Sequence, residues 1–399
     1  MFEDKSLSTS GGIGSFGRTF ANGPVERADN LAVQLPSEDM NIRSETPMPS
    51  VADPRLLADF AETAAREPVT FIESRRGPRK LKDDPSAEAA QAAAIPYGRQ
   101  SVDQVDIDAV VEVLRSDWLT QGPTLERFEQ AVAERCQASH AVAVSNATAG
   151  LHLACLAAGL GAGDWLWTSP NSFVASANCA RYCGAEVDFV DIDPLTWNLD
   201  VSALALKLEQ ARAAGRLPKV LVAVAFSGQS CDMQAISRLA REYGFCVIED
   251  AAHAFGASYA GEPVGCGSHA DMTVFSFHPV KIITSGEGGM VLCRDPGLAR
   301  HLRALRSHGI TRDPADMTEP THGGWYYQQT ELGFNYRMCD VQAALGLSQL
   351  RRLDEFLDRR RALAARYQRL LAALPLQLPA NQAQAEAAWH LYVVRLAAA

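Results

Sequence analysis

FCVIEDAAH, residues 245–253, is the stretch whose reading decides the fold. Phe245 to Ile248 forms a near-continuous apolar run, which fits a strand buried on both faces of a mainly parallel sheet. Two carboxylates, Glu249 and Asp250, follow at once. Polar chemistry therefore falls at the end of a strand, where an open α/β sheet places its ligand crevice.

The same texture extends outward in both directions. Ala141 to Val144 reads as a strand leading into a helix, Thr148 to Ala158. Glu186 to Val190 is a strand ending in Asp191, and Val220 to Phe226 and Thr273 to Phe277 are further apolar runs. Amphipathic helices are predicted at Val105 to Ser116 and Leu125 to Cys136, with a loop around Gly122-Pro123 between them. Strand–helix alternation points to a three-layer α/β domain, here assigned to residues 95–339. Val341 to Leu370 reads as one long helix entering a second, small domain over residues 340–399. Residues 1–94 lack sustained apolar periodicity and are read as a poorly ordered extension, with one short helix around Arg55 to Arg66. No repeat of fixed period is visible.

Bulk composition narrows the function classes. The 399-residue chain, 47% hydrophobic and 21% charged, has the balance of a soluble globular protein. A net charge of -10 argues against a nucleic-acid partner, which needs clustered Lys and Arg. It leaves room for a small anion, since a few local donors can hold a phosphate. No apolar run suggests a membrane span, and the N-terminus lacks the cationic and apolar regions of a secretory signal, so a cytoplasmic location is expected. The 9 cysteines include no CxxC pair and no zinc spacing. They are expected to be reduced thiols without a metal, with Cys179 and Cys183 serving packing.

Three features lie at predicted strand ends. Ser145-Asn146-Ala147-Thr148-Ala149-Gly150 opens a helix, where free backbone N–H groups and the helix dipole would seat a phosphate; alone, it is more simply a cap. Asp250 could hold a proton on a pyridine nitrogen, although on spacing alone a helix N-cap is the readier explanation. Lys281 closes Phe275-Ser276-Phe277-His278-Pro279-Val280-Lys281 and precedes the glycine-rich run Gly286-Glu287-Gly288-Gly289. A lysine so placed could form a Schiff base with an aldehyde, whereas an isolated lysine belongs on the surface. The weight rests on all three occurring in one sheet, in this order.

The text from Ile95 to Leu396 resembles the DegT/DnrJ/EryC1/StrS sugar aminotransferases, on IPYGRQ, SDWLTQGP, NSFVASANCARYCGA, FVDIDP, GQSCDM, VIEDAAHAFGA, DMTVFSFHPVKIITSGEGG, RSHGITR, ELGFNYRM and DVQAALGLSQL. Within that family the wording is nearest to the branch serving pseudaminic acid biosynthesis. The resemblance implies a fold-type I architecture, a mainly parallel seven-stranded sheet between helices, and pyridoxal 5'-phosphate as cofactor. Lys281 then resembles the lysine that carries the cofactor, and Asp250 the partner of its ring nitrogen. His253 takes the place beside the phenolic oxygen, where relatives often have Gln. Thr148, Ala149 and Ser276 fall where relatives bind the phosphate, and Phe173 where an aromatic ring stacks on the cofactor. Asn335 resembles a residue donated by the neighbouring subunit, which implies a homodimer with shared sites. Glutamate is the implied amino donor, and a UDP-linked 4-keto-6-deoxy-N-acetylhexosamine the acceptor. His308 and Arg312 are candidates for the substrate side.

The chain departs from the family in three places. Val224-Ala225-Phe226-Ser227-Gly228 stands where relatives usually carry a His before GQxCDM. The strand expected to start at Trp389 has no partners ahead of it, so an incomplete small domain with an unpaired edge is expected. Ser10-Gly11-Gly12-Ile13-Gly14-Ser15-Phe16-Gly17 resembles the dinucleotide loop of sugar dehydratases, and SEDMNIR their far end. Lys5 to Thr9 are too polar for the buried strand such a loop must follow, so the region is expected to be a dehydratase remnant joined ahead of the transaminase. The alternatives are a different nucleotide-sugar substrate on the same fold, a non-catalytic remnant, and an NAD-dependent dehydratase judged from residues 10–17 alone. The related dehydratases that replace the lysine with His are disfavoured by Lys281.

Overall fold

The computed structural model describes residues 98–396, so the glycine-rich loop, the 55–66 helix and the whole of the expected extension over 1–94 lie outside the described residues. In chain order the strands are β1 (His140–Val144), β2 (Trp165–Thr168), β3 (Glu186–Phe189), β4 (Val220–Val224), β5 (Cys246–Asp250), β6 (Ser258–Tyr259), β7 (Glu262–Pro263), β8 (Met272–Ser276) and β9 (Gly289–Cys293). Seven of them form one sheet in the order β1-β9-β8-β5-β4-β2-β3. The pairs β2–β3, β2–β4, β4–β5 and β5–β8 are parallel, and β9 alone runs against its neighbours β1 and β8. This is the mainly parallel, seven-stranded architecture expected.

Burial explains why these runs are strands. Every residue of β4, β8 and β9 is buried, the signature of strands covered on both faces. Successive side chains along β4 enter different cores: Val220, Val222 and Val224 join one, while Leu221 and Ala223 join another. The first core includes Leu151 and Leu153 of the helix Ala147–Ala157 and Leu302 of Pro296–Arg306. The opposite face is covered by Leu204 and Leu208 of Val201–Ala214, Ile236 of Met233–Tyr243, and Phe128 of Pro123–Cys136. At the sheet edge, β3 has the sequence EVDF and no fully buried position, the polar character expected of an edge strand.

The single helix expected from Val341 to Leu370 is two, Asp340–Leu350 and Leu353–Leu371. The reason is tertiary. At the junction Arg352 leaves the helical conformation (φ -103°, ψ 8°), and its guanidinium donates to Asp106 at 2.7 Å and to the carbonyl of Ser101 at 3.0 Å.

The strand expected to begin at Trp389 is also different. Only Arg395–Leu396 is extended, paired with Leu376–Gln377, while Ala385–Glu386 pairs with β6. Residues 388–391 instead dock on the turn after β4: Ala388 N–H donates to Gly228 O at 2.9 Å and Leu391 N–H to Ser227 O at 3.3 Å. Among the described residues, no helix is long and apolar enough to cross a membrane.

Candidate active site

Register assembles the site. Gly289 of β9 lies opposite both Val144 of β1 and Ser276 of β8, so the ends of three strands share one row. Asp250, the last residue of β5, pairs with Val274 of β8 at the same edge. A Cβ on Gly289 would stand 2.7 Å from Ala147 N, so glycine is what lets β9 approach the start of the Ala147–Ala157 helix. Thr148, Ser276 and Asp250 thus converge from three distant parts of the chain.

Asp250 is 5% exposed. Its Oδ2 accepts from Ser176 Oγ at 2.6 Å and its Oδ1 from Ala252 N–H at 3.1 Å. Burial pushes the carboxyl above the usual carboxylate range, while these two donors and the charge of Lys281 pull it back. No helix starts after Asp250, so the N-cap explanation falls away.

Lys281 is half-buried in the loop that follows β8, its N–H donating to His278 O at 2.9 Å. Burial lowers its amine below the ordinary lysine value, against the pull of Asp250. His253 is partly buried and its Nδ1 has no partner among the described residues. Burial, then the charge of Lys281, drives this imidazole down to about 3, which keeps it neutral.

The helix start is capped by Asn146, whose Oδ1 accepts from Ala149 N–H at 2.9 Å, so that amide is already engaged. The N–H groups of Ala147 and Thr148 have no acceptor within the helix, and they are the donors this turn leaves for an anion. Phe173 is 71% exposed, one turn before Ser176, whose N–H donates to Phe173 O at 3.2 Å. Asn335 is exposed and forms a bridge with Ser307; the carbonyl of the next residue, Tyr336, accepts from Ser145 N–H at 2.7 Å.

His308 and Arg312 lie on the excursion that carries the ribbon Ile310–Thr311 and Gln328–Gln329. There His308 N–H donates to Phe334 O, and the Arg312 guanidinium lies 5.9 Å from the centre of the Tyr327 ring. At the departure after β4, Phe226 comes within 6.4 Å of the His253 ring, and Ser227 adopts φ 60° with its hydroxyl unpartnered among the described residues.

Sequence reasoning missed two contributors. Ser176 holds Asp250 from 74 residues away, and only its hydroxyl in NSFVASANCARY hints at a role. His390 lies against His253 with ring centres 4.3 Å apart, and no local pattern announces it.

Comparison with known proteins identifies the family. The sequence profile described as the DegT/DnrJ/EryC1/StrS aminotransferase family matches residues 100–399. The spore coat polysaccharide biosynthesis protein SpsC of Bacillus subtilis is 41% identical over 303 residues, 76% of each chain. The UDP-4-amino-4,6-dideoxy-N-acetyl-beta-L-altrosamine transaminase of Campylobacter jejuni is 40% identical over 273 residues, 68% of each chain. Among solved structures, Helicobacter pylori PseC, an aminotransferase of pseudaminic acid biosynthesis, superposes with a TM-score of 0.68 at 30% identity, covering 75% of this chain and 77% of that one. The chain therefore belongs to the DegT/DnrJ/EryC1/StrS family and is a pyridoxal-phosphate-dependent sugar aminotransferase.

Proposed function

We propose that the protein moves an amino group from glutamate to C4 of a UDP-linked 4-keto-6-deoxy-N-acetylhexosamine in pseudaminic acid synthesis, as a cytoplasmic homodimer. The observation that carries the chemistry is buried Asp250, held by Ser176 Oγ at 2.6 Å at the C-terminal end of β5, with the half-buried amine of Lys281 close enough for each charge to act on the other. The named activity of the Campylobacter relative and the biosynthetic role of Helicobacter PseC support the substrate. A different nucleotide sugar on the same site is the second reading, favoured by the spore-coat naming of the Bacillus relative.

The residues present fit pyridoxal phosphate. A buried carboxylate, a desolvated amine, a small-residue helix start beside a hydroxyl, and an imidazole nitrogen without a partner among the described residues would suit the ring nitrogen, aldehyde, phosphate and phenolic oxygen respectively. When bound, the cofactor supplies an electron sink for charge developing on the donor carbon. Asp250 keeps a proton on the ring nitrogen, and Ser176 keeps Asp250 oriented. Thr148 and Ser276 would hold the phosphate, Phe173 would cover a ring face, and Asn335 would reach the phosphate bound in the other subunit. Lys281 would hold the cofactor's aldehyde, and its free amine would move the proton at the donor carbon. Its lowered amine pKa favours the neutral form a base requires.

Purified protein given pyridoxal phosphate is expected to show the visible absorbance of the bound cofactor, and Lys281→Ala to abolish it. Incubation with glutamate and the UDP-4-keto sugar should then yield the 4-amino sugar by mass spectrometry. Cofactor binding without transfer to that sugar, but with transfer to another keto sugar, would move the assignment to the second reading.

A further inference from the structure

His390 is 8% exposed and presses its ring on that of His253, centres 4.3 Å apart and planes tilted by 39°. The Nδ1 atoms of both rings are buried without a partner among the described residues. The backbone that delivers His390 is held from two sides. Arg360, on the helix Leu353–Leu371, donates through Nη1 to the carbonyls of Trp389 at 3.1 Å and His390 at 3.2 Å. Ala388 and Leu391 donate to the carbonyls of Gly228 and Ser227 in the turn after β4. The turn must be glycine at 228: φ is 99°, and a Cβ would fall 2.7 Å from His253 O and 3.0 Å from His390 N. A half-buried guanidinium and a glycine turn therefore place one imidazole against another.

We propose that His390 is a positioning residue, which fixes the ring plane of His253 toward bound pyridoxal phosphate. The proposal rests on the reading that His253 stands beside the cofactor. Imidazole rings in contact favour defined offset or tilted arrangements, so removing one frees the other to rotate. Both rings are also kept neutral, chiefly by burial: His253 is driven to about 3 and His390 to about 2. A neutral ring still offers one donor and one acceptor nitrogen, so its plane decides what it presents.

The test uses the full chain and two readouts, the dissociation constant for pyridoxal phosphate and the position of the visible band of the loaded protein. His390→Ala is expected to weaken binding about three- to tenfold and to shift the band, from the size of an aromatic pair. His390→Phe, which keeps a flat face there, is expected to restore both. The double variant with His253→Ala should bind no worse than His253→Ala alone, because the effect of His390 passes through His253. Effects that multiply, a Phe variant no better than Ala, or a His390→Ala protein identical to wild type would overturn the proposal. A wild-type protein that shows no band at all would overturn the cofactor-site reading together with it.

Discussion

Glu249 and Asp250 are neighbours on β5, yet the pleat sends them to opposite faces and opposite fates. Asp250 meets Ser176 and the charge of Lys281, while Glu249 meets Ser230 Oγ at 2.7 Å and Thr273 Oγ1 at 3.5 Å, with no cation to offset its burial among the described residues. Its carboxyl is pushed up from 4.5 to about 7. The folded state therefore holds a proton that the unfolded chain releases. The stability this represents is complete below pH 4.5 and is lost as pH rises through about 7. Glu249→Gln keeps an acceptor for one of the two hydroxyls, turns an amide donor toward the other, and removes the ionisation. It is expected to match wild type near pH 4 and to exceed it above pH 7 by roughly 1–3 kcal/mol, read from urea midpoints at the two pH values. Equal midpoints at high pH would show that Glu249 is ionised at little cost.

Among the elements, the turn at residues 226–228 ties together distant parts of the chain. Asn198 Oδ1 accepts from Phe226 N–H at 3.0 Å, and the backbone of residues 388–391 closes over Ser227 and Gly228. Gly228→Ala adds a left-handed penalty and a collision with two backbone segments, so a loss of about 2–4 kcal/mol is expected. Gly261→Ala supplies the control. That glycine has φ 81° and open space around it, so only the conformational cost of about 1 kcal/mol applies. The difference between the two midpoints in denaturant measures the clash alone. If it vanishes, the 388–391 segment yields easily and does not anchor the site.

At the scale of the whole molecule, Phe173 (71%), Trp325 (72%) and Leu332 (80%) leave apolar side chains open to water. If Asn335 serves the neighbour's cofactor, Lys281→Ala and Asn335→Ala proteins are each inactive alone, while a mixture refolded together regains part of the wild-type rate. No recovery, in dimers verified by light scattering, would place Asn335 outside the partner's site. The sequence by itself marked five of the seven sheet strands, β1, β3, β4, β5 and β8, chiefly as apolar runs, whereas β2 and β9 were not read from it. It also marked Asp250 and Lys281, because a family-like text surrounds them. Tertiary structure alone decided that Ser176 holds Asp250, that Ala149's amide is spent on Asn146, that Arg352 breaks the long helix, and that residues 388–391 deliver His390 rather than a strand. Each of these depends on a hydrogen bond or ring contact set by the path of the folded chain, which local periodicity does not encode.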